Sequence, residues 1–239
     1  MVANGRTARA RSGSGDESAQ ANESVRSGFT GRERSEFLKR NVYAGGRTRA
    51  AGDGKTRLYS GKSGGNDPSL RGVEEVFSPS KKYSILAADS EIPAPTIHKL
   101  TSTQENASEF NKNIQESRDK SPFGAAVKVY SPEEYADMQL FQTPDGSSGF
   151  AIKPDGEILS VYSSGGGNVY GMLQLAVEQG GTKLTAFDTV LPDIYEMGGF
   201  KETGRMSWDD QYMDPDWDKE LFGEFNNGEP DVIEMEYKK

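Results

Sequence analysis

The chain has 239 residues, with 28 Lys and Arg, 37 Asp and Glu, one His and no Cys, for a formal net charge of −9. Without cysteine there is no disulfide scaffold, thiol nucleophile or thiolate zinc site, and a single histidine, His98, makes no His cluster for a metal. No stretch approaches the roughly 20 apolar residues of a membrane span and the N-terminus lacks the apolar core of a secretory signal, so a soluble, intracellular protein with no membrane contact is expected.

The charge is unevenly divided. Residues 1–72 carry 14 basic and 7 acidic side chains, the remainder 14 and 30. The first 72 residues also contain 13 Gly and few large apolar side chains, too little to offset the entropy of ordering. They read as a basic, Gly- and Ser-rich, largely disordered tail. Its cations Arg6, Arg9, Arg11, Arg26, Arg32, Arg34, Lys39, Arg40, Arg47 and Arg49 suit nucleic-acid contacts, or serve only as a solubilising linker. Within the tail, 29–43 has Thr30 and Glu33 at capping-box spacing and reads as a short helix. Residues 73–95 read as a linker or packed arm, with a strand-like run between 70 and 86.

From residue 96 the pattern is that of one folded domain ending at 239. Residues 106–120 place Phe110 and Ile114 four apart on a polar background, a surface helix stopped by Ser121-Pro122. Strands are expected at 125–130, 137–143, 149–153 and 157–163. The tripeptides Pro144-Asp145-Gly146 and Pro154-Asp155-Gly156 are turns between the last three, which makes an antiparallel meander. The period then changes: 168–179 has Val169, Met172, Leu173 and Ala176 at helical spacing and ends on Gly180-Gly181. A strand at 183–187, a short helix at 191–197 with Pro192 in its first turn, and strands at 199–208 and 231–238 complete the chain. The fold class expected is α+β: a mixed, mostly antiparallel central sheet flanked by helices, behind a disordered basic tail.

Strand, Gly-rich turn, helix, strand is a succession in which anions bind at the strand's carboxyl end, on the free N–H groups of the helix start. Here that place is Ser163, Ser164, Gly165, Gly166, Gly167 and Asn168. Glycines let main chain approach a phosphate and the serines add donors, although a plain flexible loop explains the glycines equally well. Downstream, Asp188-Thr-Val-Leu191-Pro-Asp-Ile194-Tyr195-Glu-Met-Gly-Gly199-Phe200 offers an apolar-Tyr pair and a Gly-Phe pair, which also read as core aromatics. The acidic run through Asp209, Asp210, Asp214, Asp216 and Asp218 has Lys219 and Phe225 where a calcium loop needs Gly and Glu. It reads as an acidic loop anchored by Trp208, Trp217 and Phe222, one that can select a basic acceptor. No metal site is expected.

The 188–200 segment resembles the C-terminal signature of the GNAT N-acetyltransferase superfamily, with Tyr195, Gly199 and Phe200 on matching positions and Asp188 where that family prefers Asn. The resemblance covers about 96–239, and from Gly181 onward it is similar to a bacteriophage-encoded GNAT-like group, some of whose members sit in virion or co-injected proteins. It implies acetyl-CoA as cofactor. The strand carrying Ile158, Leu159 and Val161 would hydrogen-bond its pantetheine arm, and Ser163 to Asn168 would hold its pyrophosphate on main-chain amides, beside a cleft opened by two splayed central strands. Tyr195 would protonate the departing thiolate, a role suited to a phenol that stays protonated at neutral pH. Glu157 and Asp188 are candidate bases by position. The sequence departs from the family's phosphate turn, which begins with Arg or Gln: one register puts Tyr162 there and the other Gly166.

Two functions are therefore expected as alternatives. One is a phage-related acyl-CoA-dependent N-acyltransferase acting on an amine, in which the acidic domain attracts cationic acceptors and repels CoA phosphates. The other is a catalytically inactive GNAT-like module of a phage virion or phage–host complex, whose basic tail contacts nucleic acid or phage structural proteins. The corresponding locations are the host cytoplasm and the virion.

Overall fold

The structure is a computed structural model, and it describes residues 59–64, 70–79, 85–87, 90–92, 95–163 and 168–238. The helix expected over 29–43 lies outside the described residues. Among the described residues the architecture is α+β: a nine-stranded, mixed, mostly antiparallel sheet with four helices. No helix among the described residues is long and apolar enough to cross a membrane.

The strands in chain order are β1 (Tyr59–Ser63), β2 (Val73–Pro79), β3 (Ile85–Ala87), β4 (Ser90–Ile92), β5 (Ile97–Leu100), β6 (Gln139–Gln142), β7 (Ser148–Ile152), β8 (Glu157–Ser163), β9 (Lys183–Phe187), β10 (Phe200–Met206) and β11 (Val232–Tyr237). The large sheet runs β1-β2-β5-β6-β7-β8-β9-β11-β10, and β3-β4 form a separate hairpin. Every neighbouring pair in the large sheet is antiparallel except β8 and β9. The first strand of the sheet among the described residues, at Tyr59–Ser63, lies inside the stretch that composition assigns to the tail. β2 is a full strand of it, laddered to β1 and β5.

Four helices cover the sheet: α1 (Gln104–Lys120), α2 (Pro132–Ala136), α3 (Asn168–Glu178) and α4 (Leu191–Met197). Alternation along the strands separates two cores, because successive side chains point to opposite faces. Phe141, Phe150 and Ile152 join Met172, Leu173, Leu175 and Ala176 of α3 and Ile194 of α4. Leu140 and Ala151 join Ala107, Phe110 and Ile114 of α1 and Tyr135 of α2.

The meander turns form as their residues dictate. The Gly146 and Gly156 N–H groups donate to the carbonyls of Thr143 and Lys153, both at 2.9 Å, and both glycines take positive φ. Helix α1 starts two residues earlier than periodicity predicts, at a cap in which the Asn106 N–H donates to Thr103 Oγ1 at 3.2 Å. Helix α3 ends as predicted, with the Gly181 N–H on the Ala176 carbonyl at 2.8 Å and Gly180 at φ 97°.

The strand expected over 125–130 does not form. Gly124–Ala126 is a 3-10 turn, and 127–130 has no ladder partner among the described residues. Its carbonyls go to side chains instead: Asn111 Nδ2 donates to the Tyr130 carbonyl at 2.6 Å and Ser160 Oγ to that of Lys128 at 3.1 Å. The strand expected over 137–143 is β6, and helix α2 before it, which the sequence reading did not include, is set by a capping box. Ser131 Oγ accepts from the Glu134 N–H at 3.3 Å while Glu134 Oε2 accepts from the Ser131 N–H at 2.9 Å.

Candidate functional site

β8 and β9 are parallel neighbours for only two residue pairs, Glu157 with Lys183 and Ile158 with Leu184. Beyond them neither residues 159–162 nor 185–187 pair across, so the strands diverge toward their carboxyl ends. The cause is visible in β8. Its ladder to β7 slips between Gly149 and Ala151, which oppose Tyr162 and Leu159, and the extra residue sits at Ser160 with φ 52°. A bulge of this kind bends its strand and increases the local twist. It also resets the facing: Ile158 and Val161 pack with the α3 core, Leu159 and Tyr162 with the α1 core. Left-handed backbone costs a residue with a Cβ roughly 1–2 kcal/mol, so this conformation is held by its surroundings.

Ile158 and Leu159 are buried and Val161 is half-buried. Their side chains are committed to the two cores, and what the strand offers across the gap is main chain. At the open end stands Ser163, whose hydroxyl lies 2.9 Å from Ser148 Oγ. Ser164, Gly165, Gly166 and Gly167 lie outside the described residues, and α3 begins at Asn168 directly after them. Tyr162 does not stand in for a cation here, because it is 4% exposed and donates from its hydroxyl to the Gly146 carbonyl at 3.2 Å.

Tyr195 lies on α4, the helix that follows the open end of β9, and is 6% exposed in the α3 core. Pro192 in the first turn and the Gly198-Gly199 stop confine that helix to seven residues. Its ring packs with apolar neighbours, and among the described residues its hydroxyl has no hydrogen-bond partner. Burial alone pushes the phenol up to about 12. It is a protonated donor that meets no acceptor among the described residues.

The two candidate bases are not brought together. Glu157 sits at the closed end of the strand pair, where Lys153 Nζ donates to its carboxylate at 2.7 Å. Asp188 follows the last residue of β9 at the other end, about 16 Å along at ~3.3 Å per residue. Arg205 holds it there in a short ion pair and also reaches Asp231 at 3.2 Å and Glu202 at 3.0 Å. His98 lies in β5, three strands from β8, with its imidazole lowered by burial.

The β10–β11 connection, 207–231, is pinned to the same end of the sheet. Trp217 stacks on Phe222 with centroids 3.9 Å apart and lies 4.6 Å from Phe187, the last residue of β9. Trp208 completes the cluster at 5.0 Å from Trp217. Arg118 of α1 reaches into the loop, to Asp214 at 2.7 Å and Asp216 at 3.2 Å. Lys219 Nζ bonds Asp210 and Glu229 at 2.8 and 2.6 Å. Among the described residues no group of His, Asp and Glu is placed to hold a metal ion.

Sequence reasoning missed Ser160, Tyr135 and Arg205. A serine inside the apolar run EILSVYS was the available sign of the bulge. Nothing local marks Arg205. No family model, no curated protein and no solved structure matches the chain.

Proposed function

We propose that the chain is a phage-related, GNAT-like, acyl-CoA-dependent N-acyltransferase that acetylates an amine. The observation that carries the reading is the early end of the β8–β9 ladder, which leaves main-chain donors and acceptors of 159–162 facing a gap. The buried hydroxyl of Tyr195 on the helix after β9, without a partner among the described residues, supports it, since a native fold rarely leaves such a group without a use. When bound, acetyl-CoA supplies an acetyl thioester open to attack by an amine. The main chain around Ile158, Leu159 and Val161 would hold the pantetheine arm, and Ser163 with the start of α3 at Asn168 the pyrophosphate. Tyr195 would keep its proton at neutral pH and release it at its Oη to the leaving sulfur. The acidic domain and its 207–231 loop favour a cationic acceptor.

A second reading has its own observation. Glu157 and Asp188 are both engaged by cations, and buried Tyr162 stands where the family's turn has Arg or Gln. This favours a catalytically inactive module of a virion or phage–host complex, in which residues 1–72 contact nucleic acid or phage structural proteins. Calorimetry of the full chain with acetyl-CoA separates the two. Binding, together with a 10²–10⁴-fold loss of turnover in Tyr195→Phe at unchanged affinity, supports the enzyme. Absence of binding removes it. The first reading places the protein in the host cytoplasm, the second in the particle.

A further inference from the structure

A buried hydroxyl relay that the proposed chemistry does not use meets β8 just beyond the end of its ladder to β9. The Tyr130 N–H donates to the Tyr135 hydroxyl at 3.2 Å, the Tyr135 and Ser160 hydroxyls are 2.8 Å apart, and Ser160 donates to the Lys128 carbonyl at 3.1 Å. A carbonyl only accepts, so the proton between the two hydroxyls is fixed as Tyr135 donating to Ser160. Each hydroxyl accepts once and donates once. Ser160 is 8% exposed and Tyr135 fully buried, and Tyr135 is wedged edge-on against Phe110 and Tyr130, with centroids 5.0 and 5.8 Å away.

This relay is anchored on 127–136, a segment outside the sheet, and it grips the one residue of β8 that has left-handed backbone. The β9 ladder stops at Ile158, two residues before it. We propose that Ser160, tied to Tyr135 and the Lys128 carbonyl, is a positioning residue that holds the kink in β8 and so keeps β8 and β9 apart. Without the tie, the left-handed kink at Ser160 loosens and the free edge of β8 moves toward β9. As a determinant of the gap this stands by itself, and as a role in ligand binding it rests on the acyl-CoA reading.

The test compares amide hydrogen exchange in the full chain with Ser160→Ala and with Tyr135→Phe. The second variant keeps the ring and its packing and removes only the oxygen, so it decides the matter if the first does not fold. The expected result is that gap-facing amides among residues 159–162 and 185–187 become at least tenfold slower to exchange, while protection elsewhere falls or stays constant. A merely stabilising hydrogen bond cannot slow exchange on its removal. If Tyr135→Phe lowers the melting temperature while those amides exchange as in the parent, the proposal is overturned. Acetyl-CoA affinity is measured beside it, with a tenfold or greater weakening expected in both variants. A parent chain that does not bind acetyl-CoA removes the acyl-CoA reading and leaves the exchange result to decide the role of Ser160.

Discussion

Replacing Tyr195 by Phe removes one oxygen from a side chain that is 6% exposed and whose hydroxyl has no partner among the described residues. A buried hydroxyl that is hydrogen-bonded contributes about 1 kcal/mol net, and its loss destabilises by that amount. Here no bond is lost, and the cost of holding a hydroxyl away from water, about 1–3 kcal/mol from mutational data, is relieved. The small void left by the oxygen offsets part of that gain, so Tyr195→Phe is expected to stabilise the fold by about 1 kcal/mol near pH 8. The alkaline limb sharpens the test. Burial raises the phenol from 10.0 to about 12, so between those values the folded chain binds more protons than the unfolded one. Stability of the parent therefore falls as pH rises through the window, by up to about 3 kcal/mol in total at ~1.4 kcal/mol per unit. The Phe variant lacks that component. Tyr135 and Tyr162 are raised too, but they are common to both proteins and cancel in the difference. Urea denaturation of the pair near pH 8 and near pH 11 measures the effect. A variant less stable by about 1 kcal/mol near pH 8, or a difference that does not grow on the alkaline side, refutes an unpartnered, desolvated hydroxyl.

Phe110→Ala empties a fully buried site between Tyr135 and Tyr162, at 5.0 and 5.7 Å, and should cost about 3–5 kcal/mol in urea denaturation. Arg118→Ala unties the acidic loop from α1, and limited proteolysis should then cut within 207–231 faster than in the parent while far-ultraviolet circular dichroism is unchanged. Gly199 is at φ 95° and a Cβ there would meet Tyr237 at 2.8 Å, so Gly199→Ala should lower the melting temperature measurably. If the basic segment contacts nucleic acid, nonspecific DNA binding should weaken steeply with salt, and Arg→Gln changes at Arg6, Arg9 and Arg11 should flatten that slope.

Local chemistry was legible where the residues leave one solution. Pro-Asp-Gly between β6 and β7 and between β7 and β8 demanded turns, Gly180-Gly181 demanded the end of α3, and Leu191 to Met197 was readable to the residue. The segment 125–130 was not, because its β-branched pattern is real but its backbone partners are side chains of α1 and β8, distant in sequence. Likewise β1 and β5 are short strands that exist through their neighbours rather than through their own periodicity. At the candidate site, the position of Tyr195 after β9 followed from spacing. The separation of Glu157 from Asp188 did not, since it depends on which ends of two parallel strands they occupy. The capture of Asp188 by Arg205 joins residues 17 apart that no local pattern links.

Both tryptophans of the chain, Trp208 and Trp217, belong to the 207–231 loop, within a cluster that includes Phe187 at the end of β9. The molecule therefore carries an optical reporter at a single address. Emission excited selectively at indole wavelengths records the environment of this loop and the end of β9, with no background from the rest of the sheet. Lys219, whose ammonium lies 5.6 Å over the Trp208 ring, gives the signal a charge-sensitive component. A titration with any candidate acceptor thus needs no label: a ligand engaging the loop changes the emission, and one that binds only at the far strands leaves it untouched.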